Sequence, residues 1–315
     1  MEIRSPRNES ELTAVFELCA AAFPGVPREY FVRSVRNDPD WQPWQTRILL
    51  EGGVVVSTVQ VFHREVAFAG RWVPCAGIGN VATHPAFRHR GYASALMRDC
   101  LQLCRQKGYA LSLLFTGIPR FYRRFGYRTL PTVRNWLASE GSAKTEPRVR
   151  EVCAGDWASV RALHEMDGVG RPVVVRRDLR RWELLDRSAI SNCPRWLVHG
   201  GPIGVEGYLR LDVLDGQWTI TEYVAPDAHT LSAMVQEALR QSGERELVVD
   251  SLDPGGMLSG TGLLKRRIRI EELMVAIVDE EALVDAAGFS SAHDLDGYIE
   301  FLAKTGVDMW RTDFF

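Results

Sequence analysis

The alternation of apolar and polar positions predicts a mixed α/β chain. Residues 47–83 form an antiparallel meander of three strands, because two turns, Gly52-Gly53 and Ala69-Gly70, separate the β-rich segments. Apolar residues then recur at helical spacing over 93–104, as on a helix that packs against a sheet. Residues 109–115 are almost wholly apolar, which is typical of a strand buried on both faces. This order predicts two parallel strands joined by a right-handed helical crossover.

The pattern begins before the meander and is repeated after it. Helices are predicted over 11–23 and 28–36. The polar stretch 139–148 lacks apolar periodicity and is predicted to be a linker. A strand and a helix recur over 149–165, and three strands, a helix and a buried strand follow up to Ser251. We therefore expect two domains of similar organisation.

These observations divide the chain into three regions. Residues 1–138 form the first domain and residues 149–280 the second. Residues 281–315 close the chain and end in the sequence Met-Trp-Arg-Thr-Asp-Phe-Phe, which is too apolar for a frayed terminus. This last segment is therefore expected to be docked on the core.

The segment between the central strand and its helix carries the most specific chemistry. The strand ends at Thr83, before His84-Pro85, and the next helix begins after Arg88-His89-Arg90-Gly91. The first N–H groups of a helix have no partner within the helix and carry partial positive charge. Gly91 and Ala93 leave room for an anion near these groups, and the arginines add positive charge. The segment therefore predicts a pyrophosphate site, although it matches neither the P-loop nor the dinucleotide-binding glycine pattern.

Arg88, Gly91 and Ala93 match, position by position, the Arg/Gln-x-x-Gly-x-Gly/Ala turn of the GNAT superfamily of N-acetyltransferases. The resemblance covers residues 2–137 and implies the α/β GNAT fold with bound acetyl-CoA. In that family a bulge, expected here near Gly77-Ile78-Gly79, splays two parallel strands apart, and backbone groups of the splayed strand hold the pantetheine arm. The resemblance therefore assigns cofactor binding to Val81, Ala82, Thr83, Arg88, His89, Arg90, Gly91, Tyr92, Ala93, Ser94 and Gly117.

The segment Phe121-Tyr122-Arg123-Arg124-Phe125-Gly126-Tyr127 resembles the enhanced-intracellular-survival family of acetyltransferases. That family carries tandem GNAT domains and modifies aminoglycosides. Its first tyrosine in this motif is the general acid, and its own C-terminal carboxylate is the base. Carried over to this chain, the acid is Tyr122 and the base is the carboxylate of Phe315. Tyr127 is the competing acid, but its place in a strand indicates a core residue.

Other residues could serve as the base. His63 lies on the long second strand of the meander and could face the acceptor. His84 ends the central strand, where a loop or capping role is the alternative. Glu222 and Asp313 are carboxylates that could activate a water molecule.

The second domain lacks the cofactor turn. Its helix over 228–242 is preceded by Tyr223-Val224-Ala225-Pro226-Asp227, and the Asp227 carboxylate would repel a phosphate. We therefore expect a degenerate GNAT-like domain that does not bind CoA.

Composition narrows the classes of function. The formal net charge of −2 over 315 residues argues against general nucleic-acid binding. No apolar run approaches the length of a membrane span and the N-terminus is unlike a signal peptide, so a cytoplasmic protein is expected. The six cysteines include no Cys-x-x-Cys pair, so buried free thiols are expected and no metal site.

These observations favour an N-acetyltransferase that moves an acetyl group from acetyl-CoA to an amine of a small, polycationic acceptor through a tetrahedral intermediate. A protein or peptide acetyltransferase is one alternative, although the second domain would crowd an extended peptide. A non-catalytic protein that senses acyl-CoA is another, although sensing requires no acid such as Tyr122. A homo-oligomer is left open by the Trp-rich loop over 37–45.

Overall fold

The computed structural model describes residues 1–139, 141, 147–169, 171–185, 194–201, 204–214 and 216–309. Within these residues twelve strands form one mixed sheet, and ten α-helices pack around it. The strands are β1 (Glu2–Arg4), β2 (Thr46–Glu51), β3 (Val54–Phe68), β4 (Arg71–Thr83), β5 (Leu111–Phe115), β6 (Arg128–Ala138), β7 (Val149–Glu151), β8 (Arg195–Gly201), β9 (Gly204–Leu214), β10 (Gln217–Val224), β11 (Glu246–Asp250) and β12 (Leu264–Ile277). The helices are α1 (Glu9–Ala22), α2 (Arg28–Arg36), α3 (Tyr92–Gln106), α4 (Pro119–Arg123), α5 (Trp157–Val169), α6 (Leu179–Leu185), α7 (Ala228–Ser242), α8 (Met257–Gly260), α9 (Glu280–Ala287) and α10 (Ala292–Thr305).

The strand order is β1-β2-β3-β4-β5-β12-β6-β11-β10-β9-β8-β7. The pairs β4·β5 and β10·β11 are parallel, whereas β12 runs antiparallel to both of its neighbours. Two similar sets of strands, β1–β5 and β7–β11, thus lie at opposite ends of the sheet. Between them, β6 follows the first set in sequence but pairs with β11 of the second, and β12 follows the second set but pairs with β5 of the first. Each set of strands therefore pairs, at the centre of the sheet, with a strand that belongs to the other half of the sequence.

The two faces of the first strand set are covered by different helices. One face packs against α3 through residues such as Val61, Ile78 and Leu114. On the other face α1 and α2 pack near Ile48, which pairs with Thr58 of β3. Phe68, an even number of residues further along β3, lies on that same face and packs against α9 and α10. We name these two surfaces the α3 face and the α1 face.

A short extended segment over 173–176, which lies beyond the predicted linker, pairs with the first strand set. It pairs with the edge of β3 beyond the end of β2, where the Ala67 N–H donates to the Val174 carbonyl at 2.8 Å. The Arg176 N–H donates to the Glu65 carbonyl, also at 2.8 Å. These bonds satisfy backbone groups that an open strand edge would leave unpaired. Segment 173–176 therefore ties the two strand sets together at the edge of β3 as well as at the sheet centre.

The C-terminal elements pack on the α1 face. Leu283 of α9 and Leu295, Ile299 and Leu302 of α10 are buried there, and Val307 and Met309 extend the same cluster. The Asp308 carboxylate accepts the Leu252 N–H and lies 3.3 Å from the Arg171 guanidinium. Burial nonetheless raises the pKa of Asp308 above its usual value. Residues 310–315, and with them the predicted role of Phe315, lie outside the described residues.

Two elements differ from the predictions made from the sequence. A strand was expected only over 273–278, whereas β12 begins at Leu264. Its first half is highly charged and exposed, so it lacks the apolar alternation by which a strand is recognised, and pairing with β6 defines it. Helix α6 was not expected, because its short sequence over 179–185 carries little periodicity.

The cysteines of the described residues are free thiols. Cys19, Cys75, Cys100 and Cys104 are buried, and burial raises the pKa of each. Cys153 is exposed, contrary to the expectation of buried thiols throughout. Among the described helices, none combines the length and the apolar character that crossing a membrane requires.

Candidate functional site

A cleft opens between the parallel strands β4 and β5. The two strands pair from Cys75 opposite Leu111 to Ile78 opposite Leu114. Beyond Ile78, β4 continues to Thr83 and stays paired with β3, but no described residue of β5 pairs with it. The backbone of residues 79–83 is therefore free of a strand partner on the side of β5.

A bulge in β4 accompanies the opening of the cleft. Gly79 pairs with Gln60 and Ala82 with Thr58, so β4 has one more residue than β3 between these pairs. Asn80 has φ +49°, in the left-handed region that asparagine tolerates better than most residues. The bulge was expected near Gly77-Ile78-Gly79 and lies slightly later, because Asn80 adopts the unusual conformation.

The residues assigned to the pantetheine arm lie directly after this bulge. Val81 and Thr83 are half-buried and Ala82 is buried. The Ser57 hydroxyl donates to the Ala82 carbonyl at 2.8 Å and also lies 2.8 Å from the Thr83 hydroxyl. These bonds fix the end of β4 against β3, so its other edge is presented to the cleft in a defined position.

The helix that follows begins with an open N-terminus. Gly91 is its N-cap residue with φ +81°, and no side chain caps the helix there. A Cβ at Gly91 would meet nothing within 4 Å, so glycine is required by the backbone conformation rather than by crowding. The Ala95 N–H donates to the Gly91 carbonyl at 3.0 Å, which leaves the N–H groups of residues 92–94 available to an anion.

The charged side chains of the turn lie at the mouth of the cleft. Arg88, His89 and Arg90 are exposed, and His89 has φ +64°. The Arg90 guanidinium lies 3.4 Å from the Glu51 carboxylate and 4.9 Å from the centre of the Phe87 ring. The Tyr92 hydroxyl also donates to Glu51. Sequence reasoning missed Glu51, because only the β2·β3 pairing brings the end of β2 next to this turn.

Tyr122 lies on α4, which follows β5 after the exposed Gly117. Its ring is buried edge-to-face against Phe121, at 4.8 Å between ring centres. Its hydroxyl makes no hydrogen bond within the described part of the chain. Burial raises the pKa of Tyr122 to about 12, so the phenol is protonated at neutral pH. Tyr122 can therefore donate a proton or a hydrogen bond.

Tyr127, the competing acid, is engaged in the core. Its hydroxyl lies 2.6 Å from the Ser112 hydroxyl, and its residue is only 2% exposed. Burial raises the pKa of Tyr127 well above its usual value. This arrangement suits a structural role.

The alternative bases lie apart from one another. His84 is exposed and caps a 3-10 turn, where its Nδ1 accepts the Ala86 N–H at 3.2 Å. His63 lies 3.0 Å from the Tyr109 hydroxyl and lines a cavity of about 350 Å³ whose other residues are acidic or arginine. Glu222 is fully buried in an ion pair with Arg177, so it cannot activate a water molecule from solvent. Asp313 lies outside the described residues.

In the second strand set, helix α7 takes the place of α3, and its N-terminus is capped by a side chain. Asp227 caps α7, where its Oδ1 accepts the Thr230 N–H at 2.7 Å. This backbone hydrogen bond is the main cause of the lowered pKa of Asp227, which keeps the carboxylate charged. An acidic side chain thus occupies the N-terminus where the first strand set has Gly91. Among the described residues, no group of three or more metal-ligating side chains is placed to hold a metal ion.

Comparison with known proteins shows what this chain is similar to. Residues 2–130 match the family described as acetyltransferase (GNAT) domain. The chain is 27% identical over 194 residues to an uncharacterized N-acetyltransferase of Streptomyces avermitilis, an alignment that covers 56% of this chain and 46% of the relative. It is 26% identical over 221 residues to one of Streptomyces griseus, covering 64% and 52%. The chain thus spans about half the length of the curated relatives it matches.

Solved structures share the fold. A probable N-acyltransferase from Enterococcus faecalis superposes with a TM-score of 0.70 at 20% identity, covering 90% of this chain and 74% of that one. A GCN5-related N-acetyltransferase from Anabaena variabilis gives 0.70 at 16% identity with the same coverage. Eis1 from Mycobacterium abscessus gives 0.63 at 18% identity, covering 90% and 75%. The predicted α/β fold class is confirmed.

Proposed function

We propose that this chain, whose residues 2–130 match the GNAT acetyltransferase domain, moves an acetyl group from acetyl-CoA to the amine of a small acceptor. The observation that carries the proposal is the cleft between β4 and β5, with an uncapped helix N-terminus at one end. Tyr122 follows β5 on α4, where an acid is needed for the departing thiolate.

The first part of the proposal concerns acetyl-CoA. The N–H groups of Tyr92, Ala93 and Ser94 receive the pyrophosphate, and the exposed turn over 88–90 supplies cationic side chains. The pantetheine arm follows the free edge of Val81–Thr83 and passes Gly117. This arrangement directs the thioester into the cleft, towards the α1 face.

The second part concerns the chemistry. The acceptor nitrogen attacks the thioester carbonyl, and the tetrahedral intermediate collapses as the C–S bond breaks. The Tyr122 hydroxyl is directed to the sulfur, which takes its proton. The resemblance to the enhanced-intracellular-survival family makes the Phe315 carboxylate the base, an assignment that stays a prediction.

The third part concerns the organisation of the chain. We keep the division into a catalytic region over 1–138, a second GNAT-like region over 149–280 and a docked segment over 281–315, with β6 and β12 exchanged between the first two regions in the sheet. Asp227 at the α7 N-terminus supports a second region that does not bind CoA. Polycationic amines, which the sequence analysis favours as acceptors, are therefore included among the amines to be tested.

The proposed function is tested by release of free thiol from acetyl-CoA in the presence of amines. The panel contains monoamines, polyamines, aminoglycosides and peptides with free N-termini or lysines. We expect turnover with at least one class of small amine and little with the peptides. Binding of acetyl-CoA without turnover on any amine would contradict the proposal and favour a sensor of acyl-CoA.

The position of Glu51 makes a separate prediction about the cofactor turn. Glu51→Gln is expected to tighten CoA binding about two- to fivefold, because Arg90 is released from an exposed ion pair and a negative charge leaves the phosphate site. Titration calorimetry with CoA measures this change, which should shrink at high salt. Glu2→Gln is the control, since Glu2 is an exposed, ion-paired glutamate on β1. Weaker binding in Glu51→Gln would mean that Glu51 positions Arg90 for the phosphate.

A further inference from the structure

Two adjoining cavities lie between the first strand set and helices α5 and α6. The first has a volume of about 390 Å³, and the second, which His63 lines, has a volume of about 350 Å³. The two cavities form one groove, the α5 groove, because they share Glu165, Arg176, Arg177 and Asp178. None of the described residues that line it belongs to the cofactor turn or to the end of β4. The α5 groove is therefore separate from the cleft that the proposed function uses.

One wall of the first cavity is apolar. Trp182 of α6 is buried and Trp72 of β4 is half-buried, and both line the cavity. Leu179, at the start of α6, lines it as well and is 63% exposed. An apolar or aromatic group that enters the cavity removes Leu179 from water and contacts the two indole rings. This wall therefore favours a ligand with an aromatic group.

A second wall of the first cavity is one face of α5. Arg161, His164 and Glu165 line it at positions i, i+3 and i+4 of the helix, which place them on the same face. The His164 ring is engaged within the protein, since its Nδ1 lies 3.1 Å from the Glu222 carboxylate and its Nε2 lies 3.3 Å from the Val175 carbonyl. His164 is therefore a structural part of this wall.

The two charged residues of the α5 wall are unpaired. Arg161 is half-buried and Glu165 is exposed, and neither makes a hydrogen bond or an ion pair with any other described residue. They do not pair with each other, although residues one helical turn apart are neighbours on the helix surface. One positive and one negative charge are thus available side by side on the wall of the cavity.

The other charged side chains of the first cavity have partners within the protein. Arg177 is held by Glu222 in the buried ion pair, and Arg176 lies 3.3 Å from the Glu65 carboxylate. Asp178 accepts a backbone N–H in the first turn of α6 at 2.8 Å. A ligand is therefore expected to take its charged contacts from the α5 wall.

We infer that the α5 groove binds a free α-amino acid with an aromatic side chain. Arg161 receives the carboxylate, Glu165 receives the ammonium, and the aromatic ring packs on the apolar wall. An amino acid carries its two charges on one carbon atom, which matches two side chains of opposite charge one helical turn apart. A ligand with only one of these charges leaves one of the two side chains unpaired. This binding site is independent of the proposed acetyl transfer.

Titration calorimetry of the whole chain with L-phenylalanine tests the inference. Three related molecules each lack one recognised group: 3-phenylpropionate has no ammonium, phenethylamine has no carboxylate, and L-alanine has no ring. We expect L-phenylalanine to bind and each of the three to bind at least about tenfold more weakly, because each loses one set of contacts with the groove. L-phenylalanine should not compete with CoA.

Two variants assign the contacts. Arg161→Gln and Glu165→Gln should each weaken L-phenylalanine binding about tenfold, and each should keep the Tm of the parent protein. Arg161→Gln should no longer distinguish L-phenylalanine from phenethylamine, and Glu165→Gln should no longer distinguish it from 3-phenylpropionate. The matched controls are Arg180→Gln and Glu183→Gln, since both residues are exposed on α6 and neither lines the groove. Both controls should bind like the parent.

Each contrary result rejects the inference in a different way. Absence of L-phenylalanine binding at millimolar concentration rejects it outright, and competition with CoA would place the bound molecule in the cleft instead. Equally tight binding of 3-phenylpropionate or of phenethylamine would show a site for a singly charged aromatic molecule. Equal losses in the α6 controls would show an effect of surface charge rather than of the groove. The measurement requires no turnover, so its failure is distinguishable from failure of the proposed function.

Discussion

Replacement of Glu222 by glutamine is expected to lower the free energy of unfolding by about 3 to 5 kcal/mol. The side chains of Glu222 and Arg177 are both 0% exposed, and two hydrogen bonds of 3.0 and 2.7 Å join them. The Tyr208 hydroxyl donates to the same carboxylate. Glu222→Gln removes the carboxylate charge that faces the buried Arg177 guanidinium, and denaturant unfolding measures the loss. The effect extends beyond the local site, because Arg177 directly follows the segment over 173–176 that pairs with β3.

The pH dependence of this loss follows from the direction of the pKa shift. Burial opposes ionisation of Glu222, but the charge of Arg177 and the hydrogen bond from His164 outweigh it and hold the pKa well below its usual value. A carboxyl whose pKa is lowered by folding contributes stability above its unfolded pKa of about 4.3, and this contribution is lost as the pH falls through the folded value. The difference between parent and Glu222→Gln should therefore be constant near neutral pH and shrink in acid.

An exposed pair provides the control for this prediction. Glu17 is paired with Arg28, and their side chains are 61% and 36% exposed. Glu17→Gln should cost less than about 1 kcal/mol. Replacing both members of the buried pair, as in Arg177→Met with Glu222→Leu, should cost less than Glu222→Gln alone. A loss from Glu222→Gln as small as that from Glu17→Gln would show that water reaches the pair in solution.

The contrast between Gly91 and Glu222 explains what the sequence could predict. The cofactor turn is local: Arg88, Gly91 and the apolar face of α3 lie within a few residues of one another, and local backbone chemistry decides their arrangement. The partners of Glu222 lie up to 58 residues away, and only folding brings them together. The sequence identified Glu222 as a candidate base, whereas its surroundings make it a buried structural charge.

The strand order at the centre of the sheet could not be predicted from the sequence either, because it also depends on contacts between distant residues. The exposed half of β12 pairs with β6 although Leu264 and Leu137 are far apart in the chain. Its charged residues give no apolar alternation, since neither face of this part is covered. The bulge of β12 between Ile270 and Leu273 also arises from this pairing, so it could not be placed before the strand itself was known. Sequence patterns therefore miss features that depend on long-range strand pairing, such as this bulge and the position of Glu51 beside the cofactor turn.

Replacement of Tyr122 by phenylalanine is expected to lower kcat by about 100- to 10,000-fold, the range associated with loss of a general acid. The KM for acetyl-CoA should change little, because the pyrophosphate site at α3 is not altered. Stability should also change little, because the Tyr122 hydroxyl makes no hydrogen bond within the described residues. Steady-state kinetics with the best amine of the panel, together with a thermal melt, measures these three quantities.

Tyr127→Phe is the matched control, because Tyr127 is a second buried tyrosine of the same motif. It removes the 2.6 Å bond to Ser112, so it should cost about 1 kcal/mol of stability and leave kcat nearly unchanged. The pH profile tests the acid independently. Because burial raises the pKa of Tyr122 to about 12, the parent should lose no activity through Tyr122 ionisation between about pH 6 and pH 10. Full activity in Tyr122→Phe, or loss of kcat in Tyr127→Phe instead, would remove Tyr122 from the reaction, since only one of the two phenols can protonate the departing sulfur.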